Sequence, residues 1–327
     1  PGLRRHVADR CTRTTRARAF VSLLATELAG VRLANPVVLA AGTCGYGPEV
    51  ADFMDPRGLG AVTTKSITPE SREGHPPWRV IDVPGGMMNA IGLANLGLER
   101  FLAEKVPAIA AMPTIAIGSI AGHSVADYVA VAAAFDPIDT LPIVELNVSC
   151  PNTADGRQFG HDPQALKMVL GEVRPVLTRT KILVKLAPDA PDPIAMAAAA
   201  IEAGADGLTV SNTWPAMAID VDSRKPRLSA GRGGLSGPAV HPLAVRLVFA
   251  IHRAVAGPAK VPIVGLGGVL HWRDAAEFIL AGATAVGIGT ALFVDPRIPR
   301  RVVKGLEGWV KSQGCASVAE LVGRVDA

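Results

Sequence analysis

The 327-residue chain predicts an α/β fold, a TIM (β/α)8 barrel with an N-terminal hairpin and long inserted loops at the C-terminal face of its strands. Three observations predict it. Apolar strand-like runs alternate with Ala-rich helical stretches, the pattern of βα units around a parallel sheet. The runs number eight, and each is followed by a helical candidate. With 49% hydrophobic residues, 34 glycines and only 4% aromatics, the core must be built from Ala, Val, Leu and Ile, which suits helices laid on parallel strands.

In chain order, 28–33 and 35–40 read as the arms of a short hairpin that feeds the first buried strand. The strands are expected at 37–41, 61–65, 114–118, 143–147, 182–186, 207–211, 261–265 and 285–288. Helices are expected at 47–55, 97–105, 124–135, 163–178, 193–203, 242–255, 272–281 and 299–313. Two longer connections, 66–94 and 212–240, are rich in Gly and Pro and follow strand ends, where long loops usually serve as lids or binding elements. Residues 24–327 therefore form one barrel domain, and 1–23 a basic, disordered tail.

The formal charge of +4 is concentrated in that tail, where six arginines face one aspartate, Asp9, within residues 1–20; the rest of the chain is close to −1. A nucleic-acid footprint would need cations clustered on the folded body, so nucleic-acid binding is set aside. The tail's composition also fits an organelle transit peptide, an upstream translated extension or a processed end. No stretch offers the 18 or more apolar residues of a membrane span, since even Ala195–Ala205 is broken by Glu202. Cys11, Cys44, Cys150 and Cys315 have neither disulfide-framework nor metal-ligand spacing, so no metal is expected and a reducing cytoplasm fits best. The histidines show no HxH or HExxH spacing, and none is given a role.

In this fold the chemistry sits at the carboxyl ends of the strands. Those ends carry Ala41-Gly42, Lys65-Ser66, Ser119, Asn147 with Cys150 and Asn152, Lys185, Ser211-Asn212-Thr213, Gly267-Gly268 and Gly289-Thr290. Lysines ending two apolar runs are costly to bury without an anion, so something negative is expected between Lys65 and Lys185. The glycine pairs after the seventh and eighth strands occupy the usual phosphate site of a barrel; their plainer reading is a tight strand-to-helix turn. Cys150, in a loop beside Ser149, Pro151 and two asparagines, reads as a general base or nucleophile rather than a small buried hydrophobe. Cys44 and Cys315 keep the buried-hydrophobe reading. The asparagines are either turn formers or, at strand ends facing one centre, ligands of an imide-like ring edge or a carboxylate.

With these residues in place, the chain resembles the class 1 dihydroorotate dehydrogenases, FMN-containing barrels of pyrimidine synthesis. The resemblance runs from about Leu28 to Gly323. It rests on Thr64–Thr68, Asn89-Ala-Ile-Gly92-Leu93, Glu145–Asn152, Ser211-Asn212-Thr213, Gly233–Pro238, Gly265–Gly268 and Ala281-Gly282 through Ala291. The stretch from Asp155-Gly156 to Pro163 is most similar to the 1B subgroup, whose catalytic subunit pairs with an iron–sulfur and FAD subunit that passes electrons to NAD.

The resemblance implies that Cys150 removes the C5 proton of dihydroorotate while a hydride leaves C6 for FMN, one FMN per chain. It implies that Lys65, Asn89, Ile91, Gly92, Leu93, Asn147, Asn152, Asn212 and Thr213 hold the substrate. Lys185 would lie beside the flavin's N1 and C2 carbonyl. Ala41, Gly42, Ser66, Ser119, Ser211, Gly237, Gly267, Gly268, Gly289 and Thr290, with Lys65 and Asn147, would contact the cofactor. FAD and 2Fe-2S would sit on the partner subunit only, in a heterotetramer or beside a homodimer. Two departures stand out: Ser119 occupies a position where the family usually has Asn, and Ala41 one where Ser is common. The competing readings are a fumarate-linked 1A enzyme, a relative of dihydropyrimidine dehydrogenase, and a phosphate-binding barrel without redox chemistry.

Overall fold

The computed structural model describes residues 22–149 and 159–326. Eight parallel strands close into a barrel: β1 (Val37–Leu39), β2 (Ala61–Thr63), β3 (Ile115–Ile120), β4 (Ile143–Asn147), β5 (Lys181–Lys185), β6 (Gly207–Val210), β7 (Ile263–Leu266) and β8 (Ala285–Ile288). Each is paired to its sequence neighbour, and β8 returns to β1 through Val286↔Val37 and Ile288↔Leu39. All eight lie where the apolar runs place them.

Side chains alternate along a strand, so each strand sorts its residues between two cores. In β4 the outward Val144 and Leu146 join the main core with Val131, Leu166 and Val169 of the surrounding helices, while Ile143 points inward. The inner core is small and aliphatic: Val38, Ala61, Ile117, Ile143, Leu183, Val264 and Ala285.

The outer layer is α1 (98–110), α2 (Val125–Phe135), α3 (Pro163–Val173), α4 (Pro193–Glu202), α5 (His241–Ile251), α6 (Trp272–Ala281) and α7 (Ile298–Ser312). Several carry legible start signals. Ser124 and Asp127 form a reciprocal capping box at α2, and Asp162 and Asp192 cap α3 and α4 ahead of a first-turn proline. The helix expected at 47–55 is only a 3-10 turn, Pro48–Asp52, too short for an α-helix to nucleate. One helical stretch, Pro238–Ala259, has the length and composition to cross a membrane, although Arg246 and Arg253 keep it from being an unbroken apolar run. Here it contributes a barrel helix, with Ala244, Leu247, Val248 and Ile251 buried against the core.

The hairpin is shorter than expected. Its arms are Thr26–Leu28 and Val31–Leu33, and 35–40 is not an arm. Ala29 and Gly30 both take positive φ (52° and 82°), the two-residue turn that matches strand twist. Asn35 instead accepts from Val37 N and donates to Gly58 O, locking the entry to β1. Leu28 and Leu33, both fully buried, plug the amino-terminal end of the barrel.

The two long connections are not loops alone. Trp214–Ala216, Gly233–Ser236, Gly86–Asn89 and Val80–Val83 pair in that order as an antiparallel sheet, with Asn89 opposite Gly234. It roofs one side of the carboxyl-terminal face.

Replacing Leu28 with Ala opens a cavity beneath the barrel. Leu28→Ala is expected to cost about 3 kcal/mol, read as a lower urea midpoint with an unchanged slope, and to leave ligand binding at the opposite face unaltered.

Candidate active site

The carboxyl ends of the strands and the inserted sheet enclose one cleft of about 240 Å3. Ala41, Gly42, Lys65, Ser66, Asn89, Ile91, Leu93, Asn147, Lys185, Ser211, Asn212, Thr213, Gly267, Gly268, Gly289 and Thr290 all line it. Cys150 and Asn152 lie outside the described residues, as do Cys11 and the stretch 155–158.

Three expected residues do not line the cleft. Ser119 is fully buried at the end of β3, its Oγ 2.8 Å from that of Ser66, so it reaches the cleft only through Ser66. Gly92 is packed on His75, where a Cβ would meet the His75 backbone nitrogen at 2.7 Å. Gly237 backs the phosphate-type loop, because a Cβ on Gly268 would come within 2.6 Å of Gly237 O.

Two different polar surfaces result. At the ends of β7 and β8, Gly267 and Gly268 (φ 156° and 67°) and Gly289-Thr290 bring bare backbone to the cleft. Among the described residues, the N–H groups of Gly268, Gly289 and Thr290 are paired with no acceptor. Such a cradle fits the phosphate of a nucleotide-like cofactor. His241, given no role from sequence, orients it. Because a carbonyl only accepts, the 2.8 Å contact from Nδ1 to Gly267 O means that Nδ1 carries a proton. Nothing in the local sequence marks this, since His241 and Gly267 belong to different βα units.

At the ends of β4 and β6, Asn212 Nδ2 donates to Asn147 Oδ1 at 3.1 Å, and Asn212 Oδ1 accepts from Thr213 N at 2.8 Å. Each amide oxygen thereby holds one hydrogen bond inside the protein and the remaining N–H groups are donors, which favours an anionic or carbonyl-rich ligand edge. Tyr128 anchors this corner through its hydroxyl, which donates to Asn147 O at 2.8 Å.

The two lysines differ. Lys185 has an anion inside the protein: Glu145, also buried, lies 3.6 Å from its Nζ, and Thr209 Oγ1 donates to the other carboxylate oxygen at 2.8 Å. Glu145 is thus a negative partner inside the protein for Lys185. Lys65 has no such partner among the described residues, and burial, with the nearby Arg79 charge, pushes its ammonium below the ordinary lysine value. Cys44 behaves as a structural thiol, fully enclosed and pushed up to about 12 by burial and then by Glu49. Cys315 is partly exposed at the edge of the main core, away from the cleft.

A model of the family described as dihydroorotate dehydrogenase matches residues 23–310. A relative from Pelobacter propionicus, named dihydroorotate dehydrogenase B (NAD(+)), catalytic subunit, is 44% identical over 93% of this chain and 98% of its own length. Proteins of the same name from Trichlorobacter lovleyi and Bacteroides fragilis are 41% and 40% identical, each over 93% of this chain and 98% and 99% of their own lengths.

Lys65, buried beside Arg79 and without an anionic partner among the described residues, costs stability while it is charged, and that cost fades as pH rises towards the ordinary lysine value of about 10.4. Lys65→Met is thus expected to raise the melting temperature of the ligand-free protein at pH 7, with the gap narrowing at higher pH. The same change should weaken orotate binding roughly 10- to 100-fold, the equivalent of one charged hydrogen bond, as read by titration.

Proposed function

Because the chain belongs to the dihydroorotate dehydrogenase family, we propose that it oxidises dihydroorotate to orotate in pyrimidine biosynthesis, as the FMN-bearing catalytic subunit of a B-type enzyme in the cytoplasm. The observation that carries this reading is the pairing, within one cleft, of an ammonium that has no anionic partner among the described residues with a bare-backbone cradle. The first suits a substrate carboxylate and the second a cofactor phosphate.

When bound, FMN supplies the acceptor for the hydride that leaves C6. The chain does the rest. Gly268, Gly289 and Thr290 hold the phosphate end with backbone N–H groups, while Ser66, backed by Ser119, and Lys185 face the ring. Lys65 and the donor-presenting pair Asn147 and Asn212 orient the substrate's carboxylate and ring carbonyls. Cys150, with Asn152, lies outside the described residues; by resemblance its thiolate takes the C5 proton.

The electrons then need an outlet. The relatives' printed name specifies NAD(+) and a catalytic subunit. The four cysteines of this chain offer no cluster spacing. We therefore assign the NAD reaction to a separate subunit carrying FAD and 2Fe-2S, joined to pairs of this chain.

Purified protein is expected to be yellow with bound flavin; colourless protein that FMN cannot reconstitute would sink the reading. Cys150→Ala should keep the flavin yet lose its bleaching by dihydroorotate at neutral pH, by roughly 100-fold or more, the usual worth of a general base. The isolated chain should bleach with dihydroorotate and reduce NAD only slowly until the partner subunit is added. Fast NAD reduction without it would remove the partner from the scheme.

A further inference from the structure

Inside the barrel, directly beneath the cleft, Glu145, Lys185 and Thr209 come from three adjacent strands. The register sets Thr209 opposite Lys185 and Glu145 opposite Leu183, so the carboxylate lies one inward layer below the lysine. Glu145 and Lys185 are 4% and 5% exposed, and only Lys185 reaches the cleft wall. The ammonium therefore has the carboxylate on one side and the cofactor space on the other. Glu145 Oε2 is satisfied by Thr209, whereas Oε1 makes no hydrogen bond and faces Lys185 at 3.6 Å, beyond hydrogen-bond length. A buried pair this loose is poor as a structural fastening, since desolvation is repaid only by close geometry and full hydrogen bonding. It is well suited to moderating a charge.

We propose that Glu145 is the positioning residue of Lys185, a buried counter-ion that offsets its ammonium and so sets the positive charge felt by bound FMN, holding the flavin's reduction potential down. The proposal rests on the reading of the cleft as an FMN site with Lys185 beside the ring. Adding two electrons to the cofactor is favoured by a nearby cation and opposed by a nearby anion, and within a low-dielectric barrel both effects persist. Without Glu145, neither Lys65 nor Lys185 would have an anionic partner among the described residues. With it, Lys185 is offset and Lys65 is left to face the substrate.

The test is the two-electron reduction potential of the FMN-loaded enzyme, measured for wild type, Glu145→Gln and the double variant Glu145→Gln/Lys185→Met. Glu145→Gln should raise the preference for reduced over oxidised FMN about tenfold, which is about 30 mV for a two-electron couple, and the double variant should fall below wild type. If Glu145→Gln equals wild type while the double variant still falls, Glu145 is a structural residue and the proposal is overturned, with the reading of Lys185 intact. If the single and double variants coincide, the charge of Lys185 is not felt by the flavin and the underlying reading fails instead. Should Glu145→Gln not fold, Glu145→Asp keeps the charge and draws it away from Nζ. A shift of about two- to threefold in the same direction then supports the proposal, and a value equal to wild type overturns it.

Discussion

Every second side chain of eight parallel strands must point into the same closed space, and the rest of the structure follows from how that space is filled. Along β4 the inward residues are Ile143, Glu145 and Asn147, running from aliphatic to charged to amide. Along β5 they are Leu183 and Lys185. The aliphatic end is closed by Leu28 and Leu33 of the hairpin, so it excludes water and offers no chemistry. Polarity is tolerable only where the barrel opens, and there each polar group needs a partner or a ligand.

That requirement separates residues of one type. Lys65 and Lys185 both end strands and both line the cleft. Lys185 reaches down to a carboxylate on the neighbouring strand and is offset within the protein. Lys65 has Arg79 as a charged neighbour, which adds to the cost of its burial, and no anionic partner among the described residues. The asparagines are turned in the same manner: Asn147 Oδ1 accepts from Asn212 and Asn212 Oδ1 from Thr213 N, which leaves their remaining amide N–H groups as donors. The cleft thus presents cations and donors on one side and bare N–H groups on the other.

Backbone proximity shapes the other wall. A side chain on Gly233 would strike Asn89 O at 2.3 Å, and one on Gly86 would strike Ser236 O at 2.0 Å, so glycine is what lets the inserted strands close over the cleft. The same crowding puts Gly237 behind Gly268 and gives His241 its hold on Gly267. Ser119 fits this picture as a short buried side chain whose hydroxyl meets that of Ser66, which lines the cleft.

How much was legible depended on distance along the chain. The eight barrel strands, the seven α-helices and the cleft positions of most expected site residues follow from local patterns: alternation in strands, apolar spacing and caps in helices, and polar residues directly after an apolar run. The Asn89–Gly234 contact spans 145 residues, and its strands, Gly-Met-Met-Asn and Gly-Gly-Leu-Ser, have little intrinsic strand preference, so the roof over the cleft had no local signature. The hairpin was misread because the turn at Ala29-Gly30 is set by backbone angles that an alanine does not advertise. The sequence by itself determined the barrel and the rim on which its chemistry stands, because both arise from periodicities of two and 3.6 residues. Only the tertiary structure decided that Glu145 answers Lys185 and that nothing among the described residues answers Lys65, because charge pairing between strands is a matter of register and reach rather than of order along the chain.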